Sequence, residues 1–351
     1  MKNFLIVILL SLVAIIGCKT EKDNLNKQII IEVPQITGEW RHIFNPNDTR
    51  KEIDTTWYTN DHCFAKGGDG SWHAYGIIGH KPINPWVGET KLFHISASDI
   101  NQQTWDDHDY ALEIVKGVER VLWAPHVFYD EGSDSWQMFY NIGNMQPNAN
   151  MYCSWGGLCR ADSKNMFDWQ RHELNPQFTD FGHARDSYII KINNIYHYYY
   201  TRTVSEIDLR SAVALRTSPD LECWSGAKIV HIQEDRSDHG GDCESPYIVK
   251  RGDVYYLFIC RAMTAYDQTH VYWSTDPTTF PNDNFVCELP THASEIIKVS
   301  DNEWYISNTG WNKQGIYIAP LKWVAAELVM IASLTNEFLS MPRYFSNPLF
   351  K

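Results

Sequence analysis

Apolar and polar positions in this chain alternate in short bursts, with no stretch of useful length at helical spacing. The clearest burst runs from Asp242 to Phe258. A polar corner (Asp242-Cys243-Glu244-Ser245) leads into a short strand with β-branched Ile248 and Val249. Arg251-Gly252-Asp253 supplies turn chemistry, and Val254 to Phe258 is an aromatic-rich run of strand length. Pro246 favours extended backbone in the residue before it. The second strand of this unit recurs at Trp72-His73-Ala74-Tyr75, Trp136-Gln137-Met138-Phe139, Tyr196-His197-Tyr198-Tyr199 and Trp304-Tyr305-Ile306-Ser307, and each copy follows a turn. The leading aromatics, at 72, 136, 196, 255 and 304, are 64, 60, 59 and 49 residues apart.

A second marker keeps phase with the first. Ser96-Ala97-Ser98-Asp99 leads to Trp105, Arg160-Ala161-Asp162-Ser163 to Trp169, and Arg216-Thr217-Ser218-Pro219-Asp220 to Trp224. Trp273-Ser274-Thr275-Asp276 leads to Phe280, and a degenerate fifth copy runs from Gly315 to Trp323. Two markers in step over five units of short strands predict an all-β, five-bladed β-propeller with four-stranded blades around a central channel. A β-sandwich lacks so long a repeat, and a β-helix has shorter rungs. The strand at 38–44 and the tail after Ala325 lie outside the repeats, and one of them is expected to complete a blade and close the ring.

The N-terminus belongs to a different pattern. Lys2 precedes an apolar run, Phe4 to Ile16, that is too short to span a bilayer comfortably. It ends in Ile15-Ile16-Gly17-Cys18, which resembles a bacterial lipobox. The resemblance implies a signal peptide at 1–17, cleavage before Cys18, lipidation of that thiol, and attachment to a membrane of the bacterial cell envelope through the lipid alone; the other reading is an ordinary secretory signal. Residues 18–35 are expected to be a flexible tether, and 36–351 a single propeller domain.

The net charge of −13 argues against a nucleic-acid partner, because phosphate binding relies on Lys and Arg. Seven cysteines follow Cys18, an odd number that cannot all pair within one chain. Most are expected to be small buried residues, with Cys153 and Cys159 able to bridge a hairpin loop.

In a propeller the innermost strand of each blade lines the channel. The first strand of each repeat, being short and preceded by a polar corner, is placed there. The five entrances then read Asn60-Asp61-His62, Trp123-Ala124-Pro125-His126, Arg185-Asp186-Ser187, Cys243-Glu244-Ser245 and His292-Ala293-Ser294. Carboxylates converging on one axis repel each other, and folding does not demand them. Such an arrangement suits glycoside cleavage, in which one acid donates a proton and another attacks or activates water.

These motifs in this order resemble the five-bladed propeller glycosidases, the clan of glycoside hydrolase families 32, 43, 62 and 68. Asn60-Asp61 is similar to the Asn-Asp-Pro-Asn-Gly motif of the fructan-cleaving members, with His62 in place of proline. Arg185-Asp186-Ser187 resembles their Arg-Asp-Pro. Glu244-Ser245-Pro246 resembles both their Glu-Cys-Pro and the Glu-Gly-Pro of the arabinan and xylan enzymes, and Trp123-Ala124-Pro125 belongs more to the arabinan side. The resemblance covers about Trp57 to Trp323.

It implies hydrolysis of a furanose-containing (arabinan- or fructan-type) or related oligo- or polysaccharide. Asp61 is then base or nucleophile, Asp186 stabiliser or pKa modulator, and Glu244 general acid. Asn60, Trp123, His126, Arg185 and His292 are candidates for binding substrate. No cofactor is required; the resemblance admits a structural calcium in the channel flanked by His126 or His292, which otherwise bind sugar hydroxyls or sit hydrogen-bonded in the core. A reading from a different class is a non-catalytic carbohydrate-binding propeller at the cell surface. The departures at His62, Ser187 and Ser245 lean towards inversion of the anomeric centre, whereas Asn60-Asp61 points to retention.

Overall fold

The computed structural model describes residues 28–51, 55–144, 155–234 and 241–330. The leader, Cys18, Cys153, His239, Gly240 and the tail beyond residue 330 lie outside the described residues. The alternating bursts form five antiparallel sheets, the blades of a five-bladed propeller. Blade I is β3 (Trp57–Lys66), β4 (Trp72–His80), β5 (Lys91–Ala97) and β6 (Asp106–Asp107), with β7 (Leu112–Glu113) also on β5. Blade II is β8 (Trp123–Asp130), β9 (Ser135–Asn144), β10 (Gly156–Ser163) and β11 (Gln170–Arg171), with β12 (Phe178–Asp180) also on β10. Blade III is β13 (Arg185–Ile192), β14 (Ile195–Thr203), β15 (Ser211–Ser218) and β16 (Lys228–Ile232). Blade IV is β17 (Glu244–Arg251), β18 (Val254–Cys260), β19 (Thr269–Ser274) and β20 (Phe285–Leu289). Both repeat markers keep their places: the first opens the second strand of every blade, and the second marks the end of the third.

Blade V takes strands from both ends of the chain. Inner strands β21 (Ile296–Lys298) and β22 (Trp304–Asn308) are followed by β23 (Ile316–Met330), and β23 pairs with both β1 (Gln28–Ile36) and β2 (Arg41–Phe44). The ring is therefore closed by the N-terminal strands. This corrects the expectation of a tether over 18–35, because residues 28–35 are sheet. Ile29 and Ile31 are buried while Ile30 is exposed, the alternation of a half-buried strand. Glu32 fixes its place by pairing with Arg251 of blade IV at 2.5 Å. The compact propeller unit spans Ile30–Glu327.

The aromatic that follows the third strand in blades II and III, and Trp323 within β23, packs towards the preceding blade. Trp169 meets Tyr75 at 5.5 Å between ring centroids, Trp224 meets Phe139 at 6.1 Å, and Trp323 meets Tyr256 at 4.9 Å. Nearer the axis, polar side chains join adjacent inner strands. His126 Nε2 meets the Ile189 carbonyl at 3.1 Å, Tyr188 donates to Ile248 O at 2.6 Å, and Tyr247 donates to Ile296 O at 3.2 Å. These three residues hold equivalent places on β8, β13 and β17. His126 is thus a stitch between blades II and III, buried against Tyr188 and absent from the cavity wall described below.

The six described cysteines are all free, and Cys63, Cys159, Cys243 and Cys260 are buried as small apolar residues. The hairpin bridge that the spacing of Cys153 and Cys159 allowed involves Cys153, which lies outside the described residues.

Blades II and III meet where no side chain fits. A Cβ on Gly156 would lie 1.9 Å from the Ala184 carbonyl oxygen. Asn141 seals this contact by donating to Ala184 O at 2.7 Å and to Gly157 O at 3.1 Å. Gly156→Ala should cost about 1–3 kcal/mol or more and lower the thermal midpoint, whereas Gly226→Ala, with nothing within 4 Å, should not. Equal melting of the two variants would show that the blades part easily at this point.

Candidate active site

Each inner strand opens with a local break in the ladder. Register shifts fall between Thr59 and His62, Trp123 and His126, Arg185 and Tyr188, and Glu244 and Tyr247. Ala124, Asp186, Ser245 and, ahead of β21, Ala293 hold φ between +43° and +61°. Left-handed backbone is costly for residues with a Cβ, and a bulge re-aims the side chains at the break. Two consecutive residues per blade consequently face the axis. The first of each pair, Asn60, Trp123, Arg185, Glu244 and His292, lines an open cavity of about 280 Å³. The second, Asp61, Ala124, Asp186, Ser245 and Ala293, lines a narrower pocket beside it, and Asp61 and Asp186 reach both.

The three candidate catalytic acids are thereby brought into one cavity, although their registers differ. The sequence comparison set Glu244 level with Asp61 and Asp186; the bulge puts Ser245 there and Glu244 one residue earlier. This offset links the acids through hydrogen bonds. Ser245 donates from Oγ to Asp61 at 2.5 Å and from its backbone N–H to Asp186 at 3.1 Å. Thr201 Oγ1 also donates to Asp186 at 3.1 Å. Arg185 bonds Glu244 directly and lies 3.5 Å from Asp186. The path runs Asp61–Ser245–Asp186–Arg185–Glu244.

Asn60 and His292 form a second group. His292 Nε2 lies 3.1 Å from Asn60 Oδ1, its Nδ1 lies 2.8 Å from Tyr266 O, and its ring stacks on Tyr266 at 3.8 Å. Since Nδ1–H faces a carbonyl, the neutral ring is left to accept at Nε2, so the Asn60 amide is assigned with its NH₂ towards it. Burial holds His292 down to about 4, so it stays neutral.

Several cavity residues carry no motif. Glu89 follows the turn α1 (Pro85–Gly88, preceded by Asn84) and is 1% exposed, and His183 sits three residues before Asp186. Trp86, Met263, Tyr266 and Trp311 complete much of the wall. The available signal was topological: all lie on connections at the same mouth, such as Asn84-Pro85-Trp86 and Gly310-Trp311. In the narrower pocket Glu295 lies among Asp61, Asp186 and Ser245. As for calcium, the described residues contain no group of three His, Cys, Asp or Glu side chains fit to hold an ion. His126 is outside both pockets, and His292 is already bonded at both ring nitrogens, so the present residues do not fit the expected site.

Burial dominates the electrostatics. It pushes Glu244 up to about 8 against the pull of Arg185, with Asp186 and Asp61 adding to the rise. Asp186 is raised to about 6 by burial, opposed by Arg185. Asp61 is raised by burial, opposed by the Ser245 hydrogen bond and Arg185. Glu89 is raised to about 8 by burial, and Glu295 is raised well above its usual range by burial and Asp61. Folded-state pKa values above those of the unfolded chain give stability that is fully present below the unfolded values and lost as pH rises through the folded ones. The buried histidines His62, His73, His126 and His292, held down to about 3 to 4, act in the opposite sense below the unfolded histidine range, so the thermal midpoint should fall between roughly pH 7 and pH 9, where only the acids titrate. Glu89→Gln, which can still accept from Tyr58 and Trp311, should flatten that fall; an unchanged slope would mean that Glu89 ionises without cost.

No protein-family model matches the sequence, and no curated protein matches it. Solved structures do. A family 43 β-xylosidase/α-arabinofuranosidase from a compost microbial metagenome, in complex with xylotriose, is 16% identical, with 85% of this chain and 98% of that one covered and a TM-score of 0.56. Zg3597, a family 117 glycoside hydrolase of Zobellia galactanivorans, is 10% identical over 84% of this chain and 91% of its own, with a TM-score of 0.58. A family 32 β-fructofuranosidase of Bombyx mori is 16% identical over 76% of this chain and 58% of its own, with a TM-score of 0.53. At these identities the likeness establishes the fold: this chain is built as a five-bladed propeller like those of glycoside hydrolase families 43, 117 and 32.

Proposed function

We propose that this chain is a glycoside hydrolase acting on a neutral, furanose-containing or related glycan, with Asp61, Asp186 and Glu244 as its catalytic acids. The observation that carries this reading is the path of hydrogen bonds and one ion pair through three acids from three blades, at the wall of a cavity rimmed by tryptophans. Glu244 is the general acid. A carboxyl raised to about 8 still holds its proton at neutral pH and can give it to the departing glycosidic oxygen. Asp61 is the base or nucleophile: ionised, it attacks the anomeric carbon or takes a proton from water that does. Asp186, buried at the channel, supports positive charge developing on the sugar and raises Glu244. Arg185 holds Asp186 and Glu244 in register. The fold likeness to glycosidases supports the reading, and the lipobox supports attachment to the bacterial cell envelope at Cys18.

Hydrolysis of nitrophenyl furanosides, pyranosides and natural glycans tests the proposal; binding without turnover across that panel would favour the carbohydrate-binding alternative. Glu244→Gln should lose roughly 10²–10⁴-fold on substrates with poor leaving groups and much less on activated aryl glycosides. The wild-type kcat/KM should fall on the alkaline side with an apparent pKa of about 8, a limb that Glu244→Gln lacks. Full activity of the variant on poor leaving groups would make Glu244 a structural acid. The anomer first released, read by NMR before mutarotation, should be inverted; a retained product would make Asp61 the nucleophile. Cys18→Ser should release the protein from membranes, and unchanged retention without acyl mass would count against the lipobox.

A further inference from the structure

The cavity holds polar atoms that the catalytic path does not use. His183 is 2% exposed and lines the cavity, and neither of its ring nitrogens has a hydrogen-bond partner. It packs tilted against Trp86 and edge-on against Trp123, with ring centroids 5.0 and 5.3 Å apart. Trp123 Nε1, on the same wall, is also buried and lies near Glu89 without a well-formed hydrogen bond. Glu89 faces them. It receives Tyr58 Oη at 3.1 Å and Trp311 Nε1 at 3.0 Å, and both bonds end on Oε1. No cation pairs with Glu89 among the described residues.

Orphaned buried polar groups are uncommon in folded proteins, and each costs about 1–3 kcal/mol. Such atoms also occur elsewhere in the blades, but both His183 nitrogens and Trp123 Nε1 line one wall of one cavity, and with Glu89 they offer the complement of a sugar. A hydroxyl donates one hydrogen bond and accepts others. Glu89, protonated near neutral pH and accepting twice at Oε1, presents Oε2–H as a donor, and Trp123 Nε1 is a second donor. Neutral His183 supplies one of each, its charged form being opposed by burial and by Arg185. The indole faces of Trp86 and Trp123 give the apolar surface against which a ring can lie. Charge sets the class of ring. Glu244 and Glu89 hold their protons near neutral pH, but Asp186 is a carboxylate above about pH 6 and Asp61 adds to it when ionised, while Arg185, the one cation on this lining, is already engaged by Asp186 and Glu244.

Resting on the hydrolase reading above, we infer that Glu89, Trp123 and His183 form the recognition wall for the terminal sugar, reading adjacent hydroxyls of a neutral glycone and rejecting uronates. A polar wall left unpaired discriminates more sharply than an apolar one, because an analogue lacking the hydroxyl leaves those groups desolvated and unbonded.

The test measures sugar binding without turnover, by quenching of intrinsic tryptophan fluorescence at pH 7. The probes are L-arabinose, D-xylose, D-fructose, D-galactose and D-galacturonate. At least one neutral sugar should bind wild type, and D-galacturonate should bind at least tenfold more weakly than D-galactose. Glu89→Ala and His183→Asn should each weaken the neutral sugar roughly 10- to 100-fold with native circular dichroism retained, whereas Glu89→Gln, which keeps an acceptor and a donor, should weaken it less. Trp123→Phe, which removes the indole N–H and keeps an aromatic face, should weaken it less. Wild-type affinity in Glu89→Ala and His183→Asn, equal binding of galacturonate, or no binding of any probe to wild type would each overturn the inference. Neutral-sugar binding that depends on both residues in a protein that hydrolyses nothing would sink the hydrolase reading and leave this one standing. Hydrolysis with unchanged sugar affinity in both variants would do the reverse.

Discussion

The breaks at the mouths of the inner strands, and the bonds that follow them, are the constraint on which the structure depends. Immediately after each break on β8, β13 and β17, one side chain reaches the next inner strand: His126 to Ile189, Tyr188 to Ile248 and Tyr247 to Ile296. The spacing from the left-handed residue is the same each time, two residues to the donor's position and three to the receiving carbonyl. The strained turn thus does two things at once. It aims a pair of residues at the axis and sets the side chain two residues further on to tie neighbouring blades together. Blade V has Glu295 at the corresponding place, an acid where the others carry His or Tyr, and burial beside Asp61 keeps it towards its protonated form.

The same geometry creates an electrostatic problem that the site uses. Carboxyls from separate blades are gathered where water is scarce, and one guanidinium bridges two of them. Desolvation outweighs the attraction of Arg185 for Glu244, so that acid keeps a proton near neutral pH. Asp186, with two donors and the same arginine beside it, rises only to about 6. Similar residues acquire different acidities through their partners, as proton donation and base chemistry in one cavity require. The cost is borne by the fold, whose inter-blade aromatics and ring closure by β1 and β2 hold these groups together.

Much of the architecture was legible in the chain itself. Trp72, Trp136, Tyr196, Tyr255 and Trp304 mark the second strands, and Trp105, Trp169, Trp224, Phe280 and Trp323 form the second marker. These positions repeat because every blade needs the same aromatic fill, so burial writes a period into the sequence. Asp61, Asp186 and Glu244 stood out for the opposite reason: acids at strand entrances serve no packing purpose.

Other features depended on contacts remote in sequence. Strand β1 looked like part of a tether because its partner β23 lies nearly three hundred residues away, and its short charged neighbourhood hid the alternation of Ile29, Ile30 and Ile31. His126 looked like a ligand until the bulge turned it between blades. Glu244 was placed one residue out of register because a left-handed φ at Ser245 leaves no mark on a side chain that any turn could use. Glu89, His183 and Trp311 come from connections without a repeat and acquire meaning only where the ring brings their loops to one mouth. The sequence by itself determined the repeat, the blade cores and the acids, since local periodicity and composition carry them. The tertiary structure alone decided which residues face one another across the axis, because that depends on strained backbone and on closure of the ring.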